Sequence, residues 1–166
     1  MTVVSYKDLP ALRKKHADKR IAYCSGTFDL THAGHVLFFE DCKRHGDILV
    51  VGVGDDDTIR RYKGPKRPIM NQHIRLKMVS SLKPVDYVFL DSPSAMGEKN
   101  LFSPLKHIFA TLKPDVYVTN DDVKTLAERA ESAKEAGIRM VVLPRTCPPE
   151  FEAVSTTNII KKLRTE

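Results

Sequence analysis

Ile21-Ala22-Tyr23-Cys24-Ser25-Gly26-Thr27-Phe28-Asp29-Leu30-Thr31-His32-Ala33-Gly34-His35 is the stretch that decides how this chain is read. Its first five residues are the short apolar run of a buried strand, and Val36-Leu37-Phe38-Phe39-Glu40-Asp41-Cys42 opens a helix. The two histidines therefore stand at a strand-to-helix junction. In an α/β protein that junction lies at the carboxyl edge of the sheet, where unpaired N–H groups and the positive helix end favour a phosphate. Gly34 lets the backbone approach an anion closely. Both imidazoles can aim a ring N–H at that anion, with no carboxylate nucleophile or Ser-His pair beside them. The chemistry favoured is electrostatic: support of an α-phosphate as it becomes five-coordinate. The competing reading is that one histidine caps or packs the helix start while the other faces solvent.

Outward from this stretch, strand-like and helix-like segments alternate, the pattern of a parallel sheet covered by helices. Asp47 to Val53 is a nearly continuous aliphatic run, expected of a strand buried on both faces. A short helix follows from Asp55-Asp56-Asp57 to Arg61, and a longer one from Asn71 to Leu82, with Ile74, Met78, Val79 and Leu82 at helical spacing. Two junctions, Ser81 to Phe89 and Thr111 to Thr119, each stop a helix at Lys-Pro and enter a strand. Thr125 to Ala136 reads as a helix ended by Gly137, Arg139 to Leu143 as a fifth strand, and Pro144 to Ala153 as a loop. The expectation is an α/β fold: a single Rossmann-like domain over residues 1–166, with a five-stranded parallel sheet and helices on both faces.

Composition agrees with a compact enzyme. The chain has 166 residues, and 42% of them are apolar, enough for one sizeable core. No stretch is long and apolar enough to span a bilayer, and Met1 to Asp8 lacks a secretory hydrophobic block, so a cytosolic location is expected. Three cysteines, Cys24, Cys42 and Cys147, include no C-x-x-C pair and suit a reducing compartment. They are not spaced with the histidines as a zinc set. The formal charge of +6 raises the question of nucleic acid, but the basic residues are spread out and no aromatic-interleaved platform appears. Anionic small substrates account for part of the charge, and a solvated basic surface accounts for the same number.

Three segments, in order, carry a family resemblance. They are Gly26 to His35 (G-x-F-D-x-x-H-x-G-H), Gly46-Asp47-Ile48-Leu49-Val50-Val51-Gly52-Val53, and Ser155-Thr156-Thr157-Asn158-Ile159-Ile160. From about Ile21 to Leu163 the chain resembles the cytidylyltransferase-like nucleotidyltransferases. Within that family it looks most similar to the adenylyltransferase domain of heptose 1-phosphate enzymes, which share the ending S-T-T-N-I-I-K-K, with glycerol-3-phosphate cytidylyltransferase next. The resemblance implies transfer of CMP or AMP, from CTP or ATP, to a phosphorylated sugar or small alcohol, with release of pyrophosphate. It also implies Mg²⁺ accompanying the triphosphate, and a homodimer; no residue is singled out as a metal ligand. Two alternatives stay open: adenylation of a flavin mononucleotide, and a nucleotide- or nucleic-acid-binding module without turnover.

Site residues follow position by position. His32, His35, Lys63 and Arg75 are the catalytic candidates. Lys63 matches a lysine that reaches the phosphates, Lys66 being the second choice in Lys63-Gly64-Pro65-Lys66-Arg67-Pro68. Arg75 matches the arginine of an E-x-R motif that contacts the β- and γ-phosphates, although His73 stands at the glutamate position. A surface arginine is its rival reading, since other residues fill the helix's apolar face. Thr27, Phe28, Gly34, Ser155, Thr156 and Thr157 are the nucleotide-binding candidates. The Phe28 ring is expected in the core, and one of the three late hydroxyls is expected to cap the last helix. Asp29, Asp56 and Asp121 are the acceptor-side candidates; for Asp29 a loop-holding role is favoured, and for Asp56 a helix N-cap competes. Thr119-Asn120-Asp121-Asp122-Val123 stands where heptose enzymes have K-G-G-D-Y, and Arg145-Thr146 lies upstream of the usual R-T position, so the choice of base stays open.

Overall fold

The computed structural model describes residues 2–92, 103–152 and 154–164. Its strands are β1 (Thr2–Val4), β2 (Ile21–Gly26), β3 (Ile48–Gly54), β4 (Tyr87–Asp91), β5 (Val116–Asn120) and β6 (Arg139–Leu143). They form one parallel six-stranded sheet in the order β1-β4-β3-β2-β5-β6. The helices are α1 (Leu9–Lys15), α2 (Ala33–Lys43), α3 (Asp56–Lys63), α4 (Gln72–Ser80), α5 (Ser103–Leu112), α6 (Leu126–Glu135) and α7 (Thr156–Arg164).

The sheet thus has six strands where the sequence predicts five. The extra one, β1, is an edge strand of three residues paired only with β4, and Val3 at its centre is 54% exposed. A strand so short, with no buried face, leaves no alternation to read.

Period-two alternation divides the interior into two cores. On one face Ala22, Cys24, Leu49, Val51, Val53 and Val118 pack against Phe39 and Cys42 of α2 and Val79 of α4. On the other, Ile21, Tyr23, Val50, Phe89 and Tyr117 pack against Leu9 and Leu12 of α1, Ile108 and Leu112 of α5, and Ala133 of α6. The first face is aliphatic in its strands and the second aromatic. Tyr23 stacks on Phe89 and on Tyr117, with centroids 6.1 and 5.7 Å apart.

Two boundaries differ from the sequence reading. The helix expected to open at Val36 begins at Ala33, so that His32 is its N-cap residue and His35 lies in its first turn. In α4 the buried stripe matches the predicted one only at Val79 and Leu82. Ile74 and Met78 are 48% and 42% exposed, while Arg75 and Val79 are buried and Leu76 and Leu82 pack against the core. Two apolar side chains at helical spacing had set the wrong phase because the inward position between them holds an arginine. Residues 144–152 are irregular as expected, and Ala153 lies outside the described residues. Among the described residues no helix is long and apolar enough to cross a membrane.

Candidate active site

Strand order reverses direction at β2, since β3, β4 and β1 lie to one side and β5 and β6 to the other. Ligands in open parallel sheets bind outside the carboxyl ends of the strands at such a switch point. There a cleft of about 650 Å³ opens, lined by Ser25 and Gly26 of β2, Thr119 and Asn120 of β5, the start of α2 and the start of α7.

The turn after β2 is tightly made. Phe28 and Leu30 hold φ of 50° and 46°, left-handed values that cost bulky residues energy and persist only under tertiary constraint. Phe28 supplies that constraint, its ring buried in the core beside Phe39 at 4.8 Å between centroids. Gly26 is required by the same packing, because a Cβ there would stand 2.8 Å from the Phe28 ring. Asp29 anchors the turn from below. Its buried carboxylate accepts from the backbone N–H groups of Ile69 and Met70, both at 2.9 Å, and pairs with Arg67 at 3.0 Å. This is the loop-holding role. A carboxylate so engaged has little left to offer an acceptor.

His32 and His35 stack with centroids 3.9 Å apart, and Phe28 meets His35 edge-on at 5.5 Å. The backbone N–H of His32 donates to Nδ1 of His35 at 3.4 Å, which assigns the ring proton to Nε2 and makes that nitrogen the donor. Burial holds the His35 pKa down at about 3, helped by the charges of His32, Arg145 and Lys63. Burial and then Arg145 lower His32 as well. The pair is therefore neutral at pH 7 and acts as a set of hydrogen-bond donors. His32 Nδ1 is buried and has no partner among the described residues.

The late motif meets the early one here. Thr156 donates from Oγ1 to the backbone carbonyl of Asp29 at 2.8 Å, tying α7 to the histidine turn across 127 residues of sequence. Ser155 caps α7 by accepting from the N–H of Asn158 at 3.2 Å, and Ser155, Thr156 and Thr157 all line the cleft. So do His32, His35, Thr27, Phe28 and Gly34. Two helix N-termini, of α2 and α7, thus face one hollow, each a favourable place for anionic oxygen.

Cations ring the opening. Lys63, Arg67, Lys124, Arg129 and Arg145 line it, whereas Lys66 does not. Desolvation at the cleft, followed by the charge of Arg67, lowers the Lys63 ammonium below its usual range. Crowded cations of this kind are relieved by a bound polyanion.

Three predicted residues lie elsewhere. Arg75 is neither a surface residue nor a lining one. Fully buried, its guanidinium donates to the carbonyls of Met70 (2.9 Å) and Thr27 (2.7 Å) and pairs with Asp56 at 2.7 Å. It supports the turn from behind, and its donors are consumed within the protein. Asp56 is committed to that pair, and the cap of α3 is Asp55, whose carboxylate accepts from the N–H of Thr58 at 2.7 Å. Asp121, just past the end of β5, is exposed and does not line the cleft, whereas its neighbours Asn120 and Asp122 do. Sequence reasoning passed over Arg67, Asp122 and Arg129. Arg67 stood inside the basic loop already singled out, but Arg129 sits in a charged helix and gives no signal.

Among the described residues no cluster of three or more His, Cys, Asp or Glu side chains is arranged to hold a metal ion. The cleft's Asp29, Asp41, Asp122 and Glu152 are each paired with a basic side chain. This donor set fits a divalent cation carried in by phosphates better than one resident on the protein.

Comparison with known proteins gives the same picture. The cytidylyltransferase-like family model matches residues 23–162. Bifunctional protein HldE of Helicobacter pylori (strain HPAG1) is 37% identical over 152 residues, 90% of this chain and 29% of that protein. HldE of Desulfatibacillum aliphaticivorans is 33% identical over 147 residues, 88% of this chain and 27% of that protein. The chain therefore spans under a third of the length of the curated relatives it matches. Among solved structures, a lipopolysaccharide core biosynthesis protein from Thermoplasma volcanium GSS1 superposes with a TM-score of 0.64 at 28% identity, covering 78% of this chain and 99% of that one. Pantoate-beta-alanine ligase from Francisella tularensis reaches 0.65 at 15% identity, covering 99% of this chain and 77% of its own, a likeness of fold alone.

Proposed function

The chain belongs to the cytidylyltransferase-like family, and from that footing we propose that it is a nucleotidyltransferase moving AMP or CMP onto a phosphorylated sugar or small alcohol. The observation that carries this reading is the union of the two motifs: His32 and His35 share a cleft with Ser155–Thr157, and Thr156 binds the histidine turn at 2.8 Å. The acceptor's phosphate oxygen attacks the α-phosphorus, and the bond from the α-phosphorus to the bridging oxygen breaks in line. Pyrophosphate leaves with that oxygen. The residues do this by position and charge, without a covalent intermediate.

The neutral His35 donates from Nε2 to a non-bridging α-oxygen, and its donor bond strengthens as charge accumulates there. N–H groups at the starts of α2 and α7 hold the remaining phosphates, with Thr157 and Lys63 beside them. Mg²⁺ enters as part of the triphosphate substrate, neutralising the leaving pyrophosphate. The S-T-T-N-I-I-K-K ending supports ATP and a sugar 1-phosphate as the first pair to test. A reducing, cytosolic setting suits three cysteines that are all free thiols. A homodimer rests on the family resemblance alone, and light scattering tests it.

The deciding experiment is a pyrophosphate-release screen of ATP and CTP against sugar 1-phosphates, glycerol 3-phosphate and choline phosphate. One nucleotide and one acceptor class should give turnover that needs both substrates. Nucleotide binding without acceptor-dependent pyrophosphate would instead mark a binding module.

A further inference from the structure

Of the three arginines lining the cleft, two are already ion-paired. Arg67 pairs with Asp29 at 3.0 Å and Arg145 with Asp122 at 2.5 Å. Arg129 makes no ion pair among the described residues. Its partners are hydroxyls: Nε donates to Thr125 Oγ1 at 2.9 Å, and Nη1 to the Tyr117 hydroxyl and, at 3.5 Å, to Ser25 Oγ. These fix the guanidinium, and the buried Asp91 carboxyl feels its charge without forming an ion pair with it. Tyr117 is itself fully buried, its ring in contact with Tyr23 and Phe109. Nη2 has no partner among the described residues. A preorganised guanidinium whose Nη2 is left to donate is a receptor for an oxyanion.

Position says which oxyanion. Arg129 lies on α6, which packs on the aromatic face of the sheet, whereas the histidine pair and α2 belong to the aliphatic face. It approaches the cleft over the ends of β2 and β5, through Ser25 and Tyr117. The helix N-termini of α2 and α7 gather the triphosphate on the other side. In-line displacement puts the incoming oxygen and the departing pyrophosphate on opposite sides of the α-phosphorus. The incoming phosphate thus needs a cation away from the one that holds pyrophosphate.

We propose that Arg129, held by Tyr117, Thr125 and Ser25, binds the phosphate of the acceptor and makes this chain select phosphorylated over neutral alcohols. This rests on the nucleotidyltransferase reading and adds a residue to it. The N–H groups of Nη2 donate to the non-reacting oxygens of the acceptor phosphate, leaving another oxygen to attack.

The test uses the full chain and its Arg129→Met, Arg129→Lys and Tyr117→Phe variants. With the best acceptor from the screen, Arg129→Met should raise the acceptor KM by about 30-fold or more while the Kd of a non-hydrolysable nucleotide stays within about twofold. Arg129→Lys recovers only part of this, Tyr117→Phe gives an intermediate loss, and millimolar guanidinium ion partly rescues Arg129→Met. A purely structural role would not give that rescue or that split. Weakened nucleotide binding with an unchanged acceptor KM would assign Arg129 to the triphosphate and overturn the proposal, as would no change in either. If the wild-type chain releases no pyrophosphate with any acceptor, the parent reading fails, and this one is judged by calorimetry with glycerol 3-phosphate on the nucleotide-saturated chain. Binding by wild type and not by Arg129→Met supports the anion receptor; equal binding, or none to either, overturns it.

Discussion

The two sides of the cleft are built by opposite means. On the α2 side, chemistry is concentrated in one local segment: a strand, a strained turn, two stacked histidines and a helix N-terminus within Ile21 to His35, completed by one distant triplet. On the α6 side, nothing local carries chemistry. Arg129 lines the cleft by reaching Ser25 and Tyr117, and behind that wall, away from the lining, Tyr6 reaches Asp91 and Ser92 reaches Asp55. The contrast extends to charge. Burial keeps His35 uncharged near pH 7, whereas burial on the other side pushes the Asp91 carboxyl up to about 6, against the pull of Tyr6 and Arg129. A motif-built wall is legible and chemically sharp; a wall assembled from long-range pairs is neither, yet it faces the same ligand.

The largest expected effect breaks the support behind the first wall. Arg75→Ala strands Asp56 and removes donors from Met70 and Thr27, and should cost ~3–5 kcal/mol of stability in urea melts. The folded fraction should still bind nucleotide near normally. A stable variant that cannot bind nucleotide would put Arg75 on the phosphates after all. Next comes the wall's own chemistry: His35→Ala should melt close to wild type and lose on the order of 10²–10³-fold in pyrophosphate release. An unchanged rate removes the histidine from the mechanism.

How much of this the residues announced follows the same divide. Strand β3 is a run of aliphatics buried on both faces, and the Lys-Pro junctions stop their helices before β4 and β5, so the α/β alternation was readable. So were the histidine turn, the Ser155 cap and the loop role of Asp29, each a local pattern with a local cause. Strand β1 was not, because three edge residues bury too little to make a pattern. Arg75 was assigned to the phosphates by its match to the E-x-R motif because its acceptors within the protein, which include Thr27, 48 residues away, leave no mark on the local sequence. Arg129 was invisible for the same reason, since its meaning lies in Tyr117 and Ser25 rather than in its neighbours.

Acid titration sharpens the comparison at lower amplitude. His35 is depressed in the fold, so its contribution is present above its unfolded pKa of about 6.5 and is lost as pH falls through about 3. Asp91 is raised, so its contribution is present below about 3.8 and lost as pH rises through about 6. Between roughly pH 4 and 6 the two slopes oppose. Asp91→Asn removes one of them, and its stability should fall more steeply than wild type on acidification over that window, by on the order of 2 kcal/mol. Parallel curves would show that the two walls do not titrate against each other. Smallest is Thr156→Val, which deletes the tie between the motifs and should cost ~1 kcal/mol, with a matching modest weakening of nucleotide binding. Unaltered stability and binding would make that bond incidental.

The central claim is that His32, His35 and the start of α7 grip one triphosphate together. A single NMR titration of the chain with Mg²⁺ and a non-hydrolysable ATP or CTP analogue tests it most directly, following the His35 ring and the Ser155–Thr157 amides in the same samples. Both sets of signals should saturate along one binding curve, with the His35 pKa rising from about 3 as the anion arrives. Amides that shift while the His35 ring stays unmoved, or two curves with different midpoints, would contradict it.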